Sequence, residues 1–201
     1  MTTQALPCLI ESLTVTSTAL VGNRYGDPTV RAVPVILPPS YHREPSRRYP
    51  VIYLLASFAG AGYQLLNRSP LAESLDERIT RLLAADPSLP EWITVLPDCF
   101  TALGGSQYVN SPILGRYTDY LIREVVPLVD SNLRTLTDAR HRAVCGRSSG
   151  GIGALWLAMN HPEVFSAVAS HAGDGFFRIT TPPELLKFVR RVRRYGGPEG
   201  A

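Results

Sequence analysis

The chain has 201 residues, 45% of them hydrophobic and 18% charged, with a formal net charge of +3. This length suits a single domain over residues 1–201, and the apolar fraction excludes a mainly disordered chain. No run of about 18 apolar residues occurs, so no transmembrane helix is expected, and Met1-Thr2-Thr3-Gln4 lacks the cationic start of a secretory signal.

The basic residues are dispersed until the last stretch, which gives no sign of a nucleic-acid partner. Cys8, Cys99 and Cys145 form no CxxC pair and no zinc spacing with the four histidines. Each is expected to be a small buried residue in a reducing compartment, so the chain is read as cytoplasmic, without metal or cofactor.

In chain order, residues 9–20 and 30–37 are rich in Val, Ile, Leu and Thr and flank the turn-like Gly22-Asn23-Arg24-Tyr25-Gly26-Asp27-Pro28. Two strands joined by a loop are predicted. Val51-Ile52-Tyr53-Leu54-Leu55-Ala56 runs apolar without alternation, the pattern of a strand buried on both faces. Residues 71–85 carry Leu71, Leu75, Ile79, Leu82 and Leu83 at helical spacing, and Pro87 and Pro90 follow. A buried strand at 92–96 and a glycine-rich loop at 104–108 come next. A helix is predicted over 117–133, interrupted by Pro127. Then follow a short strand at 143–145, a small-residue helix at 152–159 and a strand at 164–170. Pro182-Pro183 is read as opening a last helix to about Tyr195. Alternation of strand and helix from Val51 onward implies an α/β fold, a mostly parallel sheet with helices on both faces.

Gly146-Arg147-Ser148-Ser149-Gly150 matches G-x-S-x-G between a strand and a helix, the context a nucleophile elbow requires. The serine sits in a strained turn, and bulky neighbours two residues away would collide with strand and helix. That fixes the register. Ser148 has glycine on both flanks, whereas Ser149 would need glycine where Arg147 stands. A glycine-rich turn that only packs helix on strand would carry the same letters. Dinucleotide use fails, because Gly151-Ile152-Gly153 and Gly60-Ala61-Gly62 both lack the third glycine.

The run from Val144 to Phe165, with His161-Pro162-Glu163-Val164-Phe165 after the elbow helix, resembles the putative esterase (esterase D-like) family of α/β-hydrolases. Tyr53-Leu54-Leu55, Gly105-Ser106-Gln107-Tyr108-Val109-Asn110 and Glu124-Val125-Val126-Pro127 add to the resemblance. It covers about residues 30–175, with 176–201 as a helical tail. It implies a serine carboxylic-ester hydrolase, an esterase or thioesterase, acting through an acyl-enzyme. The developing oxyanion needs two N–H donors. One is the backbone N–H of Ser149. The other, in the family's His-Gly-x loop, falls on Phe58 of Ala56-Ser57-Phe58, where the His-Gly pair is absent. Phe58 as plain core is the alternative.

The site of an open α/β sheet lies at the carboxyl ends of its strands. His171 is the histidine on that end, with Asp98 and Asp174. His141 and His161 precede strands and fall at the opposite end, and His42 sits in a proline-rich connector. The fold's usual order is Ser, then acid, then His, but 53 residues follow Ser148 and none after His171 is histidine. The family's late acid and histidine are therefore expected to be missing, and the fold C-terminally shortened. His171 and Asp174 are candidates for base and acid or for pocket lining. Ser57, Asp98 and Arg147 are candidate substrate-pocket residues.

An acyltransferase, and a catalytically deficient fragment or binding module, are the alternatives. An uncovered sheet edge would allow self-association. The cationic residues of the last helix, Lys187, Arg190, Arg191, Arg193 and Arg194, are read as a solvated face.

Overall fold

A computed structural model describes residues 6–194 and 196. The expectations for the first four residues and for a helix end near Tyr195 lie outside the described residues. Strand β1 (Leu9–Thr16) pairs antiparallel with β2 (Val30–Leu37). Then follow β3 (Val51–Leu55), helix α1 (Leu75–Ala85) and β4 (Ile93–Val95). A small ribbon of β5 (Asn110–Ser111) and β6 (Gly115–Arg116) leads into α2 (Tyr117–Asp119), a π-turn segment Tyr120–Val125 and α3 (Val126–Asn132). The chain continues through β7 (Arg142–Arg147), α4 (Ser149–Asn160), β8 (Ala167–His171) and α5 (Phe177–Arg194).

The main sheet has six strands in the order β1-β2-β4-β3-β7-β8. β4, β3, β7 and β8 run parallel, and β1 and β2 form an antiparallel margin. The central parallel strand β3 is covered on both faces, which explains its unbroken apolar run. Val51, Tyr53 and Leu55 point to the face packed by Leu121, Val125, Val129 and Leu157. On the opposite face, Leu54 joins Ile36, Ile79 and Leu96 beneath α1.

Several boundaries differ from the sequence reading: the first strand ends at Thr16 rather than at residue 20, and the last begins at Ala167 rather than at residue 164, which lies in the turn after α4. Helix α1 starts at Leu75, because Leu71 is 97% exposed and Ser74 caps the helix, its N–H taken by Glu77 at 2.9 Å. Pro127 is absorbed rather than interrupting: the preceding turn widens to a π form, and the proline falls at the start of α3. Pro182 and Pro183 lie inside α5, which begins at Phe177. Lacking N–H groups, they leave the carbonyls of Arg178 and Ile179 without helical donors.

Glu124 ties this helical segment to the β1–β2 connection. Its carboxylate accepts the Thr18 N–H at 2.8 Å, the Thr18 hydroxyl at 2.7 Å, the Ala19 N–H at 3.0 Å and the Ser17 hydroxyl. Burial acts to raise the carboxyl's pKa, but these donors outweigh it and hold the group below its usual range. The resulting stability is full above the ordinary glutamate pKa of about 4.3 and is lost as pH falls through the lower folded value. Glu124→Gln is expected to cost about 1 kcal/mol at neutral pH, the carboxylate being partly exposed. Urea unfolding should show that difference shrinking as the pH is lowered below about 4. A difference that persists undiminished in acid would contradict this account.

Candidate active site

Ser148 sits between β7 and α4 with φ 55° and ψ −120°, a strained conformation for a residue bearing a side chain. Sequence dictates the turn through its glycines. A Cβ on Gly146 would lie 2.5 Å from the Gly150 carbonyl carbon, and one on Gly150 would lie 2.2 Å from the Leu55 carbonyl oxygen. Strand, elbow and helix can close only because both are absent. The Ser148 N–H donates to the His171 carbonyl at 3.0 Å, which ties the elbow to the end of β8.

The loop after β3 lies against this turn. The Ser57 hydroxyl donates to the Arg147 carbonyl at 3.1 Å. Within the loop, the Ala59 N–H is taken by the Gly104 carbonyl at 3.0 Å and the Gly60 N–H by the Ser57 carbonyl at 2.9 Å, and the Phe58 N–H is not committed in this way. Phe58 itself is 54% exposed, its ring lying over Gly104, so the core alternative for Phe58 does not hold. Ser149 is the first residue of α4, so its N–H has no preceding helical turn to bond.

A cavity of about 310 Å³ opens at the carboxyl ends of β3, β7 and β8, lined by Leu54, Leu65, Cys145, Ser57, Arg147 and His171 among others. Burial raises the Cys145 thiol above its usual pKa, which keeps that wall uncharged. Asp98 does not line this cavity. Arg31, almost fully buried, holds it at 3.1 Å and donates also to the Phe100 carbonyl and the Tyr117 hydroxyl. The one sequence signal of this ionic network is a lone arginine inside the apolar pattern of β2. His171 and Asp174 are exposed beside the elbow. Among the described residues, none makes a hydrogen bond with Ser148 Oγ.

The other histidines fall as the topology requires. His141 precedes β7 and pairs with Asp138 at 2.9 Å, and His161 follows α4 and pairs with Glu163 at 3.1 Å. His42 faces Glu11 at 3.5 Å. Backbone strain gathers at the opposite end: Ala59, Gln107, Tyr108, Ser148 and Ala172, one or two from each loop after β3, β4, β7 and β8, all have positive φ.

A parallel sheet in this strand order, with a strained serine between strand and helix, defines the α/β-hydrolase fold. Within that class, residues 105–176 match the model of the family described as "Putative esterase". Esterase Rv1288 of Mycobacterium tuberculosis is 34% identical over 147 residues, 73% of this chain and 30% of the relative. The uncharacterized protein YbbA of Bacillus subtilis is 24% identical over 153 residues, 73% of this chain and 58% of its own length.

Among solved structures, a ferulic acid esterase superposes with a TM-score of 0.69 at 26% identity, covering 85% of this chain and 59% of that one. The ferulic acid esterase AmCE1/Fae1A of Anaeromyces mucronatus, at 21% identity and a TM-score of 0.66 over 88% of this chain and 63% of that one, shares the fold. The chain thus spans less than two thirds of the length of each of these proteins.

Proposed function

We propose that this chain is a serine carboxylic-ester hydrolase, an esterase or thioesterase, with Ser148 as nucleophile. The observation that carries the reading is the elbow: positive φ at Ser148, held by two glycines that no larger residue can replace. The serine oxygen attacks the acyl carbonyl as its proton passes to a general base, for which His171 is the candidate, and that proton is delivered to the departing alcohol or thiol. The carbonyl oxygen becomes an anion facing the N–H groups of Ser149 and Phe58. Collapse expels the alcohol or thiol and leaves an acyl-serine ester, which water then hydrolyses. An alcohol in place of water would make the same intermediate an acyl-transfer donor.

Ser57 and Arg147, which line the cavity beside the elbow, are the candidate substrate-pocket residues, and His171 with Asp174 are the candidate base and acid. The catalytically deficient reading draws on one observation: among the described residues, no base is hydrogen-bonded to Ser148 Oγ. Residues 1–201 are read as a single α/β-hydrolase-like domain, and the reaction described needs no metal or cofactor. Three thiols outside any disulfide support a reducing, cytoplasmic setting. No helix among the described residues is long and apolar enough to cross a membrane. Self-association through β8 is supported by its position at the sheet margin, where all five residues are exposed and none is Lys, Arg, Asp, Glu or Pro.

The test is covalent. Incubation with a fluorophosphonate followed by peptide mass spectrometry should place the adduct on Ser148, and Ser148→Ala should carry none. An adduct on another residue, or none on the wild-type chain, would overturn the assignment.

A further inference from the structure

The segment Gly105-Ser106-Gln107-Tyr108-Val109-Asn110 has no part in the chemistry above, yet it carries two adjacent residues in the left-handed region, Gln107 at φ 54° and Tyr108 at φ 62°. Such a pair is retained only where surrounding contacts impose it. Tyr108 is 4% exposed and bonded at three points. Its N–H donates to Ser106 Oγ at 3.1 Å, its carbonyl accepts the Thr118 hydroxyl at 2.9 Å, and its own hydroxyl donates to the Ala56 carbonyl at 2.6 Å.

Ala56 is the first residue of the loop that presents the Phe58 N–H. The Tyr108 ring also abuts the elbow helix, since a Cβ on Gly153 would lie 2.3 Å from its Cδ2. One side chain therefore touches both halves of the oxyanion site: the loop after β3 and the helix whose first N–H belongs to Ser149.

We propose that Tyr108 is a positioning residue, a brace that fixes the Ala56–Ser57 peptide plane against α4 and so aims the Phe58 N–H at the acyl carbonyl of the substrate. This rests on the hydrolase reading above. The peptide plane is rigid, so fixing the Ala56 carbonyl also fixes the direction in which the chain enters Ser57 and Phe58. An oxyanion donor works only when preorganised, and small displacements of it are costly. The hydroxyl is suited to the task. Burial pushes the phenol well above its ordinary pKa, so it stays a donor across the working pH range. A phenylalanine would fill the same space and leave the Ala56 carbonyl without this partner.

Tyr108→Phe removes the hydroxyl alone and separates the brace from packing. In the 201-residue chain, hydrogen exchange at Ala59 and Gly60 should speed up about tenfold, while the amides in the middle of α4 keep their rates. Fluorophosphonate labelling of Ser148 should slow by about tenfold in the same variant. Thr118→Val, which frees the Tyr108 carbonyl from the other side without touching the loop, should move both readouts in the same direction by less.

Unchanged exchange over residues 56–60 in Tyr108→Phe overturns the brace. Faster exchange with unaltered labelling overturns its link to the oxyanion site. Absence of labelling in the wild-type chain overturns the hydrolase reading instead, and the exchange arm then still decides whether Tyr108 holds the loop.

Discussion

Gly150→Ala is expected to cost at least about 3 kcal/mol, and to lower the melting temperature by about 6–12 °C for a chain of this size. The added Cβ would sit 2.2 Å from the Leu55 carbonyl oxygen and 2.7 Å from the Ala56 carbonyl oxygen. Those are backbone atoms at the end of β3, whose five residues are paired in register with β7. Neither strand nor helix can yield without breaking the ladder, so relief must come from moving α4 as a whole. Total stabilities of domains are about 5–15 kcal/mol, so a loss of this size removes a large share of the folded state's margin.

Gly22→Ala supplies the contrast. Its Cβ would meet no heavy atom within 4 Å, and only the positive φ of 77° opposes it. About 1 kcal/mol is expected there. Circular dichroism melts of the two variants beside the wild type make the comparison, and a Gly150→Ala melt within about 2 °C of wild type would refute the elbow packing described here.

The glycines are also why this part of the molecule was legible in the sequence. A steric requirement at Gly146 and Gly150 leaves its mark in the letters, because no other residue satisfies it. Strand β3 was legible for a related reason: burial on both faces forces an apolar run. Where the cause was long-range, the letters were silent. Tyr108 reaches Ala56 across 52 positions, and Arg31 reaches Asp98 across 67. Neither contact has a local pattern.

The start of α1 was legible in hindsight. Ser74 and Glu77 have capping-box spacing, but Leu71 extended the helical periodicity four residues too far. The prolines misled in opposite ways. By its chemistry Pro127 reads as a breaker, yet a π turn precedes it, and Pro182 reads as a helix start, yet α5 opens five residues earlier.

His171→Ala is expected to leave fluorophosphonate labelling of Ser148 within about twofold of a slow wild-type rate. A serine hydroxyl is a weak nucleophile at neutral pH unless a base accepts its proton. Among the described residues, none accepts a hydrogen bond from Ser148 Oγ. His171 is joined to the elbow through its backbone carbonyl, not through its ring. Asp174, three residues on in the same exposed loop, is poorly placed to orient an imidazole toward the serine. A hydrolase without its base keeps only the contribution of oxyanion hole and binding, roughly 10³–10⁴-fold over water. Turnover of a p-nitrophenyl ester by this chain should accordingly be weak, and Ser148→Ala should change the bulk rate little even though it removes the covalent adduct. Time-resolved mass spectrometry of the phosphonate adduct in the wild type and in His171→Ala decides the matter. Fast labelling that collapses in His171→Ala would make that imidazole the general base. Slow labelling that ignores the substitution would mean that Ser148 is held in the geometry of a nucleophile while its proton acceptor must come from elsewhere.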